Sequence, residues 1–530
     1  MKLAILAALS LSLALSVSAI AQEDKDKGGD KSPMPSPNAA FFKAQESVTQ
    51  GTANGVSYSA HAGTLIVHPK DWDDAAEPKG DKKDEQPISE MFYVAYFKNG
   101  ADPLKRPVTF LYNGGPGSST VWLHMGAFGP RRVVTPDDAH APAAPYNVVD
   151  NNESLLDASD LVFVDAPGTG FSRIAGKDKE KAFYGVDPDA YAFTQFISEF
   201  LAKYGRWNSP KYLFGESYGT PRSAVVANEL ATERNIDLNG IILLSQILNF
   251  DMSADGPEFN PGVDLPYQIA LPTYAATAWY HHKLPPNAPK DFPTLIRNVE
   301  SFTMGEYALA LQRGSDLGPS WRKEIIAKLH MFTGLPEWYI NKANLRIDGG
   351  EFEKNLEGAN DITVGRLDTR FTGPTLDPLS KEADYDPQSA AISSAYTSAF
   401  NDYVRKVLKF GDERDYKPEI PLFRYWDFAH RPPGVERALR GSTNVMPDLA
   451  NAMKYNPNLK ILLTGGYFDL ATPYYEGVYE MHHLPIPANL QKNISYHYYQ
   501  SGHMVYAHEQ SLKELHDAVA GFIGATNNVH

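Results

Sequence analysis

The chain has 530 residues, of which 43% are apolar and 21% charged, with a formal net charge of −15. That composition can bury a core, which excludes wholesale disorder, and the acidic balance argues against a nucleic-acid phosphate backbone as partner. Cysteine is absent, so disulfides, thiolate metal sites and a cysteine nucleophile are excluded, and any nucleophile must be an oxygen or nitrogen group.

Residues 1–21 (MKLAILAALSLSLALSVSAIA) read as a secretory signal peptide. Lys2 is the basic start, Leu3 to Val17 the apolar stretch, and Ala19-Ile20-Ala21 the small-residue cleavage signal. Export without cysteine suits a bacterial cell envelope, so the expected location is periplasmic or secreted. Residues 22–40 are charged and then Pro-rich, the composition of a flexible tether. No later apolar run approaches the roughly 18 residues of a membrane span, so none is expected in the mature chain.

Residues 41–250 read as the first part of a core. Nearly continuous apolar runs at Met91–Phe97, Val108–Tyr112, Leu161–Val164, Tyr212–Phe214 and Ile241–Leu244 predict strands covered on both faces. Helical patterns over Asp187–Lys203 and Pro221–Arg234 alternate with them, the second with Pro in its first turn. Residues 251–417 are rich in Pro, Gly and aromatics, with helical stretches at Tyr274–His281 and Gln388–Lys409 and no clear buried strand. They predict a helical cap inserted over the core. Residues 418–530 return to the core pattern, with strands at Ile461–Leu463 and Ile494–Tyr499. A last helix over Ser511–Ile523 is expected to open with a Ser511/Glu514 capping box. Strands alternating with helices predict an α/β fold with a mainly parallel sheet.

Gly215-Glu216-Ser217-Tyr218-Gly219 lies between the strand ending at Phe214 and the helix that follows. This strand–turn–helix context is what a nucleophile elbow needs, because the glycines let the backbone turn sharply and hold the serine hydroxyl above the sheet. A second turn, Asn113-Gly114-Gly115-Pro116-Gly117-Ser118-Ser119, follows Val108–Tyr112. Its bare N–H groups can face an oxyanion; Gly115 and Tyr218 are the expected donors. A phosphate loop is the rival reading, but the G-x-x-x-x-G-K-[ST] lysine is missing.

A serine needs a base and the base an orienting acid, in the chain order Ser, Asp or Glu, His. Asp469 follows one late strand and His503 the other, so Ser217, Asp469 and His503 are the expected catalytic set. Asp427 and Asp448 compete for the acid, and His497, His508 and His516 for the base. The doublets His281-His282 and His482-His483 lack an H-E-x-x-H pattern, and no metal or organic cofactor is expected.

NGGPGSS (113–119), FGP (128–130), VDAPGTGFS (164–172), GESYG (215–219), Asp469 and GHMV (502–505) resemble the serine carboxypeptidase family. The resemblance implies an α/β-hydrolase core with a helical cap. It also implies a site for a substrate's free C-terminal carboxylate at Asn113, Gly114 and Glu216, and hence a peptide substrate with that terminus. Three positions depart from the family pattern. Ser118 replaces a cysteine, Ala127 stands where an acid precedes Gly129-Pro130, and Ser245-Gln246-Ile247-Leu248 replaces a Gly-Asn-Gly. The expected activity is acyl-enzyme peptide hydrolysis, faster in mildly acidic buffer because a substrate carboxylate beside Glu216 needs a shared proton. The alternatives are an esterase or acyltransferase on the same residues, or a binding protein whose site has decayed.

Overall fold

The computed structural model describes residues 44–72, 86–441 and 443–529; the predicted signal peptide and the tether lie outside them. Among the described residues, ten strands form the main sheet. In chain order they are β1 (Glu46–Ala53), β2 (Val56–Val67), β3 (Ile88–Lys98), β4 (Val108–Tyr112), β5 (Asp160–Val164), β6 (Arg173–Ala175), β7 (Lys211–Glu216), β8 (Gly240–Leu244), β9 (Lys460–Gly466) and β10 (Ile494–Tyr499). The spatial order is β1-β2-β3-β5-β4-β7-β8-β9-β10, with β6 paired to the edge of β3. β1, β2 and β3 are antiparallel, and β5 onward along that order is parallel. This is the α/β-hydrolase architecture expected.

The central strands are apolar on both faces because helices cover both. Phe110, Leu213, Ile241 and Leu243 pack toward Val186–Lys203, Gly219–Glu233 and Met446–Tyr455. Leu111, Phe214, Ile242 and Leu244 face the other way, toward Pro387–Lys406 and Glu509–Thr526. The period-2 alternation of a strand thus splits one apolar run between two cores.

Three local expectations need correction. First, β1 and β2 form a hairpin that the apolar pattern did not mark. It turns at Asn54-Gly55 with φ of 46° and 75°, as a two-residue turn between twisted strands requires. Second, the stretch read as having no clear buried strand holds a short, partly buried antiparallel pair, Ile362–Val364 with Thr372–Pro374. Third, the last helix begins at Glu509, so Ser511 lies inside it and caps nothing; its hydroxyl meets His508 Nδ1 at 2.8 Å.

Helices dominate the stretch between β8 and β9. Leu265–Tyr280, Phe292–Phe302 and Pro319–Thr333 share an apolar cluster with Leu470, which sits beside Asp469. After Pro387–Lys406 the chain becomes a strap whose bridges include Lys417 to Gly170, Glu419 to Ser118 and Asp427 to Gly185. His430 anchors it between Asp187 (2.6 Å) and Asp448 (2.7 Å). Burial would lower the His430 pKa, but hydrogen bonds to the two carboxylates push it up to about 9. Asp448 is therefore a structural partner of His430. No described helix is long and apolar enough to cross a membrane.

Candidate active site

The site sits where the parallel strands end. β7 is wholly buried, and after Glu216 the chain must reverse into the helix Gly219–Glu233 within two residues. Ser217 takes that turn at φ 59°, a left-handed conformation that L side chains adopt at a cost of about 1–3 kcal/mol. Gly215 and Gly219 permit it: a Cβ on Gly215 would collide with the Gly219 carbonyl, and one on Gly219 would press on the Tyr112 carbonyl. The Ser217 N–H is held by Leu244 O at 3.0 Å. Ser217 is half-buried while the residues on either side of it are buried, so it keeps some access to solvent.

The Gly-rich turn after β4 packs directly on this elbow. A Cβ on Gly114 would run into the backbone N of Tyr218, so only glycine allows the approach. Gly115 has φ 103°. Among the described residues, neither the Gly115 nor the Tyr218 N–H donates a backbone hydrogen bond. Two free donors beside a serine are what a developing oxyanion requires. Above them the strap contributes Leu422 and Trp426, and the Trp426 indole donates to the Tyr218 hydroxyl at 3.0 Å.

Asp469 and His503 come together from the ends of β9 and β10. His503 Nδ1 lies 2.8 Å from Asp469 Oδ2, and both side chains are buried. Asp469 Oδ1 accepts from the N–H groups of Ala471 (2.9 Å) and Thr472 (3.0 Å), and Oδ2 from the Thr472 hydroxyl (2.8 Å). Burial opposes a charged His503, yet the adjacent Asp469 carboxylate raises its pKa above the ordinary value. Ser245, next to the residue that holds Ser217, donates its hydroxyl to the His503 carbonyl at 2.8 Å. The elbow and the histidine loop are thereby fastened to one strand end. The Ser217 hydroxyl itself makes no hydrogen bond to a described residue. Such a link commonly tightens only when substrate arrives.

Asn113 and Glu216 also meet. Asn113 Nδ2 donates to Glu216 Oε2 at 2.9 Å, and the Tyr506 hydroxyl donates to the same oxygen at 2.9 Å. Burial pushes the Glu216 carboxyl up to about 7, against the opposing pull of His503 and these hydrogen bonds. Beneath them lies a fully buried ion pair. Arg222 Nε is 2.6 Å from Asp189 Oδ2, and Arg222 Nη1 donates to the Asn113 carbonyl at 2.7 Å.

Sequence reasoning missed Tyr506 and Thr472, although Tyr506 directly follows GHMV. The departures have their own structural partners. Ser118 Oγ accepts the Trp122 indole N–H at 2.8 Å. Ala127 is buried, its carbonyl held by Asn151. Gln246 donates to Glu480 at 2.5 Å, and the N–H of Asn249 meets the same carboxylate at 2.7 Å. Three other histidines are hydrogen-bonded elsewhere, His281 with the Thr369 carbonyl, His483 with the Tyr479 carbonyl and His516 with Asp157, and His497 is exposed on β10. Among the described residues no group of three or more His, Asp or Glu is placed to hold a metal ion.

Residues 82–255 match the family model described as serine carboxypeptidase. The pheromone-processing carboxypeptidase KEX1 of Phytophthora infestans is 28% identical over 172 residues, 30% of this chain and 24% of that protein. Carboxypeptidase Y of Saccharomyces cerevisiae is 26% identical over 155 residues, 29% of this chain and 27% of that protein. The chain thus matches about a quarter of the length of these curated relatives. The crystal structure of KEX1(delta)p, a prohormone-processing carboxypeptidase from S. cerevisiae, superposes with a TM-score of 0.53 at 16% identity, over 90% of this chain and 92% of that one, and shows the shared fold. The family match includes Asn113, Gly115, Glu216, Ser217 and Tyr218 but ends before Asp469 and His503.

Proposed function

We infer that this chain, which resembles the serine carboxypeptidases over residues 82–255 and has their α/β-hydrolase fold, is an exported serine-type carboxypeptidase acting through an acyl-enzyme. The observation that carries the reading is the buried Asp469–His503 pair, fastened to the strand end that also holds the Ser217 elbow. In this mechanism His503 Nε2 takes the Ser217 proton as the hydroxyl attacks the scissile carbonyl. Asp469 fixes the tautomer with the proton on Nδ1 and stabilises the imidazolium. The Gly115 and Tyr218 N–H groups receive the oxyanion, a contribution of about 3–4 kcal/mol per donor in comparable sites. His503 then protonates the leaving amine, and water releases the acyl group. The predicted signal peptide supports export, and the cysteine-free chain supports a bacterial envelope as its destination.

Specificity for a C-terminus is assigned to Asn113, Gly114 and Glu216. Below about pH 7 Glu216 holds a proton and can donate it to a substrate carboxylate. As pH rises past that point both carboxyls ionise and repel. His503 works in the opposite direction, since it must be neutral to act as base. For a peptide with a free C-terminus, kcat/KM is therefore expected to fall above about pH 7. For an ester or amide lacking that carboxylate it is expected to rise to a plateau, so the ratio of the two drops by up to about tenfold per pH unit. Parallel pH profiles on a blocked dipeptide acid, its amide and a simple ester measure this. A ratio flat from pH 4.5 to 8.5 removes Glu216 from carboxylate recognition. Ala127 favours a second reading, an esterase or acyltransferase on the same residues; rapid ester cleavage without peptide cleavage would establish it.

A further inference from the structure

The hairpin loop Gly365–Phe371, inside the helical insertion, touches both catalytic loops through its main chain. The Leu470 N–H donates to the Arg366 carbonyl (3.0 Å), the His503 N–H to the Leu367 carbonyl (2.7 Å), and the Thr369 N–H to the Phe468 carbonyl (2.9 Å). The Gly502 N–H donates to Asp368 Oδ2 at 3.2 Å. Four consecutive residues thus grip the backbone on both sides of Asp469 and at His503 itself. The approach is close: a Cβ on Gly502 would collide with the Asp368 side chain.

The loop is itself braced. Asp368 is fully buried and held by Arg370, with Nη2 to Oδ2 at 2.6 Å and Nε to Oδ1 at 3.0 Å. Asp386 Oδ2 accepts the N–H groups of Arg366 (3.0 Å) and Leu367 (2.7 Å), while its Oδ1 caps the helix Pro387–Lys406 through Ser389 N–H (2.7 Å). The Thr369 hydroxyl is 2.6 Å from that of Thr277.

We propose that the segment Arg366–Arg370 is the template that sets the acid and base of the site, with Asp368 as a positioning residue for His503. The inference rests on the reading of Asp469 and His503 as catalytic. Loops at strand ends have few restraints of their own, and displacement of a reacting group by about 1 Å costs on the order of 100-fold in rate. The helical insertion then contributes to the chemistry.

Asp368→Asn keeps the volume but weakens both the Arg370 fork and the Gly502 contact. In the full-length protein it is expected to lower kcat by about 10–100-fold with KM within about twofold. It is also expected to move the low-field proton resonance of the His503–Asp469 hydrogen bond. Arg370→Lys keeps the charge but loses the fork, and carries the same expectation. A folded variant with unchanged kcat and an unmoved resonance would overturn the proposal. If neither variant folds, amide exchange in the wild type decides: the Leu470 and His503 N–H groups must be as protected as those of β9, and exchange at loop rates overturns it. A fluorophosphonate probe keeps the two readings apart. Failure to label the wild type sinks the catalytic reading, whereas equal labelling rates for wild type and Asp368→Asn sink only this one.

Discussion

Replacing Asp469 with Asn is expected to lower kcat by about four orders of magnitude while the fold survives. The reason is the asymmetry of its hydrogen bonds. Oδ1 already accepts two N–H groups, from Ala471 and Thr472, and an amide oxygen serves there equally well. Asparagine therefore keeps its oxygen on that side and turns its NH2 toward His503 Nδ1. Two donors cannot face each other, so the imidazole moves its proton to Nε2, where an acceptor for the Ser217 proton is needed. The base is lost without any loss of packing. Steady-state kinetics with a thermal melt on the same sample measure both parts. A folded Asp469→Asn variant within tenfold of wild type would show that another group orients His503.

The second large effect is on stability. Asp189→Ala is expected to destabilise the protein by about 3–5 kcal/mol, because it leaves the Arg222 guanidinium buried without its counter-charge. Arg222 is wholly buried and its guanidinium lies 4.4 Å from the Phe193 ring centroid, so water has no ready route to replace the carboxylate. Urea unfolding of the single variants and of Asp189→Leu/Arg222→Met tests this. The double replacement removes both charges and is expected to cost far less than either single loss. The same variants report on the site, since Arg222 Nη1 holds the Asn113 carbonyl. KM for free-acid peptides is expected to rise more than KM for esters.

The central parallel strands were legible because helices cover both faces of the sheet there, which keeps those strands apolar over most of their length. The edge strand β10, with Ser495, Tyr496 and His497 exposed, follows that rule only at its ends. The hairpin β1–β2 was not legible. β1 alternates exposed and half-buried positions in a polar sequence, and β2 buries small residues such as Ala60 and Ala62. Only the Asn54-Gly55 turn gave a local signal. The pair Ile362–Val364 with Thr372–Pro374 escaped for another reason: three residues are too few to show a period. The last helix was misplaced because a Ser-x-x-Glu pattern also arises inside helices, where the serine can bond sideways, as Ser511 does to His508.

At the site, the residues legible in the sequence were those whose backbone geometry constrains their neighbours. A serine at positive φ needs glycines around it, and a turn packed on Tyr218 N needs Gly114. Asp469 and His503 were legible by their place after strands. Residues that act by long-range backbone contact left no pattern. Arg366, Leu367 and Thr369 use carbonyl and N–H groups that every residue type carries, so nothing in their identity marks what they hold. Tyr506 and Trp426 carry no sequence signal of their own, because what distinguishes them is the partner their polar atom reaches.

The most direct measurement is covalent labelling of the full-length protein by a fluorophosphonate probe, with the modified residue located by mass spectrometry. One label per chain is expected, on Ser217, vanishing in Ser217→Ala and slowing by orders of magnitude in His503→Ala. No label on the native protein, or equal labelling after Ser217→Ala, would contradict the assignment of Ser217 as a nucleophile activated by His503 and Asp469.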